Sequence, residues 1–154
     1  GIWFGPSAQV NVSGLIATTA DISDADFMAG KYQFVQSPDW NGSVINEGYI
    51  TVMNAGLAAL VAPAAVNKGE ITATLGTVVL ASGNAFTVDF AGDSLVSFAV
   101  SGEVATQAKD QSGQPLSDAV RNDGVIRANG GKIQLAANTA TKVLDNAISM
   151  KGIA

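Results

Sequence analysis

The chain has 154 residues, 47% of them hydrophobic, enough to bury the core of one domain without disulfides or metals. Only 14% are charged, the net charge is -5 and no basic run exists to neutralise phosphates, so nucleic acid is not expected as a partner. With neither Cys nor His, thiol nucleophiles, imidazole bases, Ser-His-Asp triads, the usual zinc sites and His- or Cys-ligated haem are excluded, and no cofactor is expected.

The start, Gly1-Ile2-Trp3-Phe4, has neither a Met nor a basic stretch, so the chain reads as a processed or trimmed piece without its own signal peptide. Residues 10–18 alternate in hydrophobicity and read as an early, irregular strand unit. Asp21-Ile22-Ser23-Asp24-Ala25-Asp26 sets three carboxylates and a hydroxyl in six residues, an oxygen-rich set of the kind Ca²⁺ takes, but it lacks the glycine and closing Glu of an EF-hand. Asp and Ser favour turns and helix N-caps, so the reading preferred for Asp21, Asp24 and Asp26 is a solvated turn capping a short helix. Trp3, Phe4, Tyr32, Phe34 and Trp40 are expected to plug the end of the core, ahead of stacking on sugars.

From residue 44 onward a frame repeats. Val44-Ile45-Asn46-Glu47-Gly48-Tyr49-Ile50-Thr51-Val52 aligns with Ala65-Val66-Asn67-Lys68-Gly69-Glu70-Ile71-Thr72-Ala73 and with Val120-Arg121-Asn122-Asp123-Gly124-Val125-Ile126-Arg127-Ala128. A second frame, G-x-[AVI]-x-L, follows each copy from Gly56, Gly76 and Gly131. The first two copies lie about 21 residues apart, and both frames are offset together in the third. The fixed positions recur at every second residue, the strand period, with mostly polar residues between them. Strand, turn, strand and return within about 21 residues predict one coil of a parallel β-helix, and the whole chain about seven coils, roughly 34 Å tall. Residues 10–18 keep the frame with Val12 in the Asn slot.

Within such coils Asn46, Asn67 and Asn122 are inward amides that form a ladder, and Gly48, Gly69 and Gly124 sit at corners of close backbone approach. Glu47 and Lys68 share a frame position and read as a surface ion pair of about 1 kcal/mol at most. The uncharged stretch of residues 49–67 is interrupted by Asn54, Gly56 and Pro63 and alternates, which argues against a membrane span. Residues 86–104 are too long for one coil and read as an extra coil plus a hairpin that leaves the helix. Asp110-Gln111-Ser112-Gly113-Gln114-Pro115 is an exposed turn, and Asn129-Gly130-Gly131-Lys132 is a turn between strands whose spacing does not fit a phosphate loop. Asn11-Val12-Ser13 and Asn41-Gly42-Ser43 match the N-glycosylation acceptor by chance. Residues 148–154 restart the frame and stop partway, so a further part of the polypeptide is expected beyond them.

These residues in this order resemble the N-terminal secretion domain of filamentous haemagglutinin-type exoproteins of Gram-negative two-partner secretion. Gly1-Ile2-Trp3-Phe4-Gly5 is similar to the tail of that family's N-P-N-G-I stretch, and Val10-Asn11-Val12-Ser13-Gly14-Leu15-Ile16-Ala17-Thr18-Thr19 to the segment after it. Asp26-Phe27 and Gly30 to Phe34 continue the likeness, then come the N-x-G-x-I coils. The resemblance implies an all-β, right-handed parallel β-helix over residues 1–154, with Gly1 and Ile2 the remnant of the secretion motif. It further implies a non-catalytic module recognised in the periplasm by an outer-membrane transporter and heading a longer surface or secreted adhesin, haemolysin or toxin, with a downstream β-helix and a host or cell-surface receptor as further partners. Two rivals share the architecture: a polysaccharide lyase or hydrolase, for which Glu70, Glu103, Asp89 and Asp93 are the candidate acids, and a self-stacking filament subunit.

Overall fold

The computed structural model of the chain describes residues 1–37, 39–90, 96–140, 143 and 145–154. Its strands are β1 (Ile2–Phe4), β2 (Gln9–Val12), β3 (Leu15–Thr18), β4 (Tyr32–Val35), β5 (Ser43–Asn46), β6 (Tyr49–Val52), β7 (Leu57–Ala62), β8 (Ala64–Asn67), β9 (Glu70–Thr72), β10 (Thr77–Ser82), β11 (Ala85–Phe90), β12 (Val96–Val100), β13 (Asp118–Asn122), β14 (Val125–Arg127), β15 (Lys132–Ala137) and β16 (Asn146–Met150). A single short helix, α1 (Asp24–Met28), stands among the described residues.

The strands form three parallel sheets and one antiparallel sheet. One parallel sheet runs β1-β5-β8-β13-β16, a second β2-β6-β9-β14, and a third β3-β7-β10-β15. This is an all-β, mostly parallel, β-helix-like arrangement. Each strand of the repeat lies beside its counterpart in the next copy: Asn46 pairs with Asn67 and Asn67 with Asn122, Ile50 with Ile71 and Ile71 with Ile126, Leu60 with Leu80 and Leu80 with Leu135. The inward Val44, Ala65 and Val120, Ile50, Ile71 and Ile126, and Leu60 and Leu80 make one core cluster. Burial of these apolar side chains is the main force holding the sheets together.

A second cluster lies on the opposite face of β7 and β10, where Leu57, Ala59, Val61, Val79 and Ala81 meet Phe86 and Val88 of β11. Phe34 of β4 stacks on Phe86 with ring centroids 4.6 Å apart. Both faces of β7 are therefore buried, which is why its sequence, Leu57-Ala58-Ala59-Leu60-Val61-Ala62, is continuously apolar instead of alternating. The uncharged stretch of residues 49–67 is thus three strands, β6 with one face exposed and β7 and β8 buried throughout, and no helix among the described residues is long and apolar enough to cross a membrane.

The structure corrects four expectations. The longest parallel sheet has five strands, not seven coils' worth, because α1, β4, β11 and β12 lie outside the parallel sheets. No extra coil separates the second and third copies: β8 pairs directly with β13, β9 with β14 and β10 with β15. The intervening β11 and β12 instead form an antiparallel sheet in which β11 also pairs with β4, giving the order β12-β11-β4. The Asn slot of the first coil holds Phe4, which pairs with Asn46, while Val10 and Val12 pair with Ile50 and Val52. An alternating Val-x-Val fits either strand of the repeat equally, so period alone left the register open. Finally, the aromatics do not act together as an end plug. Phe4 packs on the core, Tyr32 and Phe34 pack on the second cluster, and Trp3 and Trp40 remain 50% and 47% exposed.

Candidate functional site

The most ordered polar feature is a row of side chains along the five-stranded sheet. Asn46 Nδ2 donates to Asn67 Oδ1 at 2.8 Å, and Asn67 Nδ2 donates to Asn122 Oδ1 at 2.7 Å. Asn122 Nδ2 reaches the Ile153 carbonyl at 3.2 Å. All three Asn residues are 0% exposed. Each amide also contacts the turn that follows it, as when Gly48 N donates to Asn46 Oδ1 at 3.2 Å. A buried amide left unpaired costs about 1–3 kcal/mol, so the row holds only when each member is supplied by its neighbours. It is bounded by apolar side chains in the same slot, Phe4 at one end and Met150 at the other.

Beside each Asn the chain turns on a glycine packed against the previous coil. A Cβ on Gly69 would lie 2.1 Å from the Gly48 carbonyl oxygen, one on Gly124 2.0 Å from that of Gly69, and one on Gly152 2.0 Å from that of Gly124. Gly48 faces the carbonyls of Ala8 and Gly5 at 2.5 and 2.7 Å by the same construction. No side chain fits such a stack of backbone on backbone. Gly152 is a member that the three aligned copies did not include, although Met150-Lys151-Gly152 stands in the frame.

The residue between Asn and Gly points outward and carries charge. Lys68 Nζ lies 3.0 Å from Glu47 Oε1, and the Trp3 indole donates to Glu47 Oε2 at 2.9 Å. The Lys68 and Trp3 hydrogen bonds hold the Glu47 carboxyl below its ordinary value. Asp123 is held low by the Arg121 guanidinium, 2.6 Å away, which also lies 3.5 Å from Asp118. Arg121 is correspondingly raised, chiefly by its hydrogen bond to Asp123.

Gly1 and Ile2 lie at the edge beside β5, where Ile2 pairs with Val44. They line a cleft of about 470 Å³ together with Trp3, Trp40, Lys109 and Asp110. The return segment that closes it is fixed by Lys109 N donating to the Asn41 carbonyl at 2.9 Å and by Ser43 Oγ donating to the Lys109 carbonyl at 2.7 Å. Three segments far apart in sequence build this cleft, so no local motif announces it. Asp110 also organises its own turn, its Oδ1 accepting from Ser112 N and Gln114 N at 2.8 and 2.9 Å.

The Asp21, Asp24 and Asp26 set does not converge on a common point. Ser23 caps α1: its Oγ accepts from Asp26 N at 3.0 Å and donates to Asp26 Oδ2 at 2.8 Å, a reciprocal cap. Asp21 bridges Val35 through its backbone and accepts from Ile22 N at 2.8 Å. Among the described residues no group of three or more His, Cys, Asp and Glu is placed to hold a metal ion. Of the acids considered for an enzyme, Glu70 on β9 is bound to Arg127 Nε at 3.2 Å, Asp89 lies on β11 of the antiparallel sheet, and Glu103 lies in the segment after β12. Asp93 lies outside the described residues.

The parallel sheets with a side-packed antiparallel sheet define a class of β-helix-like domains. The family model of the TPS secretion domain matches residues 1–154, and the chain belongs to that family. TPS domains belong to exoproteins secreted across the outer membrane with a transporter as partner. No curated protein matches the sequence. Among solved structures, the chain is similar to the crystal structure of the HMW1 secretion domain from Haemophilus influenzae, with 22% sequence identity and a TM-score of 0.57. The match covers 98% of this chain and 41% of that one, so the chain spans less than half of the solved relative.

Proposed function

We propose that the chain is a non-catalytic secretion and scaffold module of a large adhesin- or haemagglutinin-type exoprotein, with residues 1–154 as one right-handed β-helical solenoid. The single observation that carries this reading is the family match over the whole chain. On this reading the module is recognised in the periplasm by its outer-membrane transporter, its parent continues into a downstream β-helix, and the parent ends at the cell surface or outside the cell, where it meets a host or cell receptor. Asn46, Asn67, Asn122 and their glycines are structural, and Gly1 and Ile2 are the remnant of a secretion motif.

Recognition falls at the N-terminal end. There β1, β2 and β3 are the outermost strands of the three parallel sheets, and an edge strand offers unpaired backbone groups to a partner by β-augmentation. Among the exposed large apolar side chains, Trp3, Phe27, Met28, Val35 and Trp40 lie within the first forty residues. The test is expression of the exoprotein with its upstream residues, with and without the transporter, followed by assay of the culture medium and the periplasm. Export that requires the transporter supports the reading. Equal export without it overturns the reading.

A further inference from the structure

The residues that follow the Asn slot alternate in sign along the stack: Glu47, Lys68, Asp123, Lys151. They are linked by one repeated backbone pattern. Lys68 N donates to the Asn46 carbonyl at 2.7 Å, Asp123 N to that of Asn67 at 2.8 Å and Lys151 N to that of Asn122 at 2.9 Å. The following glycine joins in, with Gly69 N on Asn46 O at 3.1 Å, Gly124 N on Asn67 O at 3.1 Å and Gly152 N on Asn122 O at 2.8 Å. A third bond then runs from the next residue to the previous glycine: Glu70 N to Gly48 O, Val125 N to Gly69 O and Ile153 N to Gly124 O, each at 2.9 Å. The next acceptors in the series are the carbonyls of Met150 and Gly152.

The slots that are closed inside the stack are open at this face. Ile148 and Met150 are 43% and 42% exposed, whereas Val120 and Asn122, their partners in β13, are 0% exposed. β16 and β15 are the outermost strands of their sheets, and Ile153 bridges β14 at the edge of the third, so apolar slots, backbone acceptors and one cation are presented together.

We propose that the face formed by β16, the segment through Gly152 and Ile153 that bridges β14, and β15 is a template for one more parallel coil whose corner carries an acidic residue followed by glycine. The acid pairs with Lys151 as Glu47 pairs with Lys68, and the glycine packs on the Gly152 carbonyl. The occupant is a coil of this chemistry and not the N-terminal face of a second copy. In a second copy the residues after the Phe4 slot are Gly5 and Pro6, so Lys151 would meet no carboxylate. Pro6 also has no N–H to give to the Met150 carbonyl. The charge order thus selects which strand docks and in what register, since a like charge at the corner is repelled. This deepens the scaffold reading of the domain, but its test needs no transporter and can fail independently of export.

The experiment appends residues 51–71, the coil containing β7 and β8, after Ala154 in two forms. The position copied from Lys68 is glutamate in one form and lysine in the other. At low salt the glutamate form should melt about 2–4 °C above the lysine form, and the appended amides that reach Met150 and Gly152 should be protected from hydrogen exchange. Lys151→Glu should reverse the order of the two forms. Equal melting of both forms, an order that Lys151→Glu leaves unchanged, or unprotected appended amides in both would overturn the proposal. Sedimentation of the unextended chain should show a monomer at all concentrations, and a concentration-dependent dimer abolished by Lys151→Glu would overturn the choice of occupant.

Discussion

Asn67 both accepts from Asn46 and donates to Asn122 through one fully buried amide, so it is the central link of a side-chain chain that crosses three strands. Hydrogen bonds at 2.8 and 2.7 Å in a fully buried site satisfy groups that would otherwise be buried alone. The amide row and the apolar slots therefore specify the same register.

Asn67→Ala removes both inter-amide bonds, leaving Asn46 Nδ2 only its 3.3 Å bond to the Gly48 carbonyl and Asn122 Oδ1 without the Asn67 donor, and should cost about 2–4 kcal/mol. Asn46→Ala should cost less, because one amide neighbour is affected and Phe4 occupies the slot on the other side. Urea denaturation of the two variants measures the difference, and equal loss would show that the amides act independently.

Gly69→Ala places a methyl 2.1 Å from the Gly48 carbonyl oxygen. Neither backbone can yield without opening the stack, so a loss of about 3 kcal/mol or more is expected, and Gly69→Val should be worse. Gly14 is the control: a Cβ there meets nothing nearer than 3.8 Å, and Gly14→Ala should stay within about 0.5 kcal/mol of the parent in thermal melts.

Stability should fall on acidification. Glu47 and Asp123 have carboxyls lowered in the folded state by Lys68 with Trp3 and by Arg121, so folding favours their ionised forms. Their contribution is complete above the ordinary values of 4.5 and 3.8, and is lost as the pH falls through the lower folded values. Glu47→Gln and Asp123→Asn together should flatten the midpoint-against-pH curve below pH 4.5 relative to the parent. A curve of unchanged slope would remove these pairs from the account of acid sensitivity.

Glu70 is engaged by Arg127 and by Thr72 Oγ1 at 3.4 Å, on a strand remote in sequence from the other candidate acids. No turnover of acidic polysaccharides is expected from the purified chain. Turnover that disappears on Glu70→Gln would establish an enzyme on this fold.

The middle of the molecule was legible in the sequence because the N-x-G-x-I frame couples three physical demands, an inward amide, a corner without Cβ and a core aliphatic, in one window of five residues. The ends and the side sheet were less so. Phe4 replaces the amide of the first coil, and the longer turn through Gly5 and Pro6 shifts Val10 and Val12 into the slots of Ile50 and Val52. The pairing of Phe34 with Phe86 joins segments about fifty residues apart, and hydrophobic alternation says that each strand has a buried face without saying against what. The cleft at Gly1 and Ile2 depends on the return of Lys109 and Asp110 across β5, which no periodicity encodes.

The most direct measurement is transporter-dependent secretion of surface variants at opposite ends of the stack, each first shown to melt like the parent. Trp3→Ala with Gln9→Ser and Asn11→Ser alters the N-terminal edge strands β1 and β2, and Lys132→Ser with Asn129→Ser alters the C-terminal end. The expected result is loss of secretion, with retention in the periplasm, for the N-terminal set alone. Equal loss from both ends, or unchanged secretion of the N-terminal set, would contradict recognition at that end.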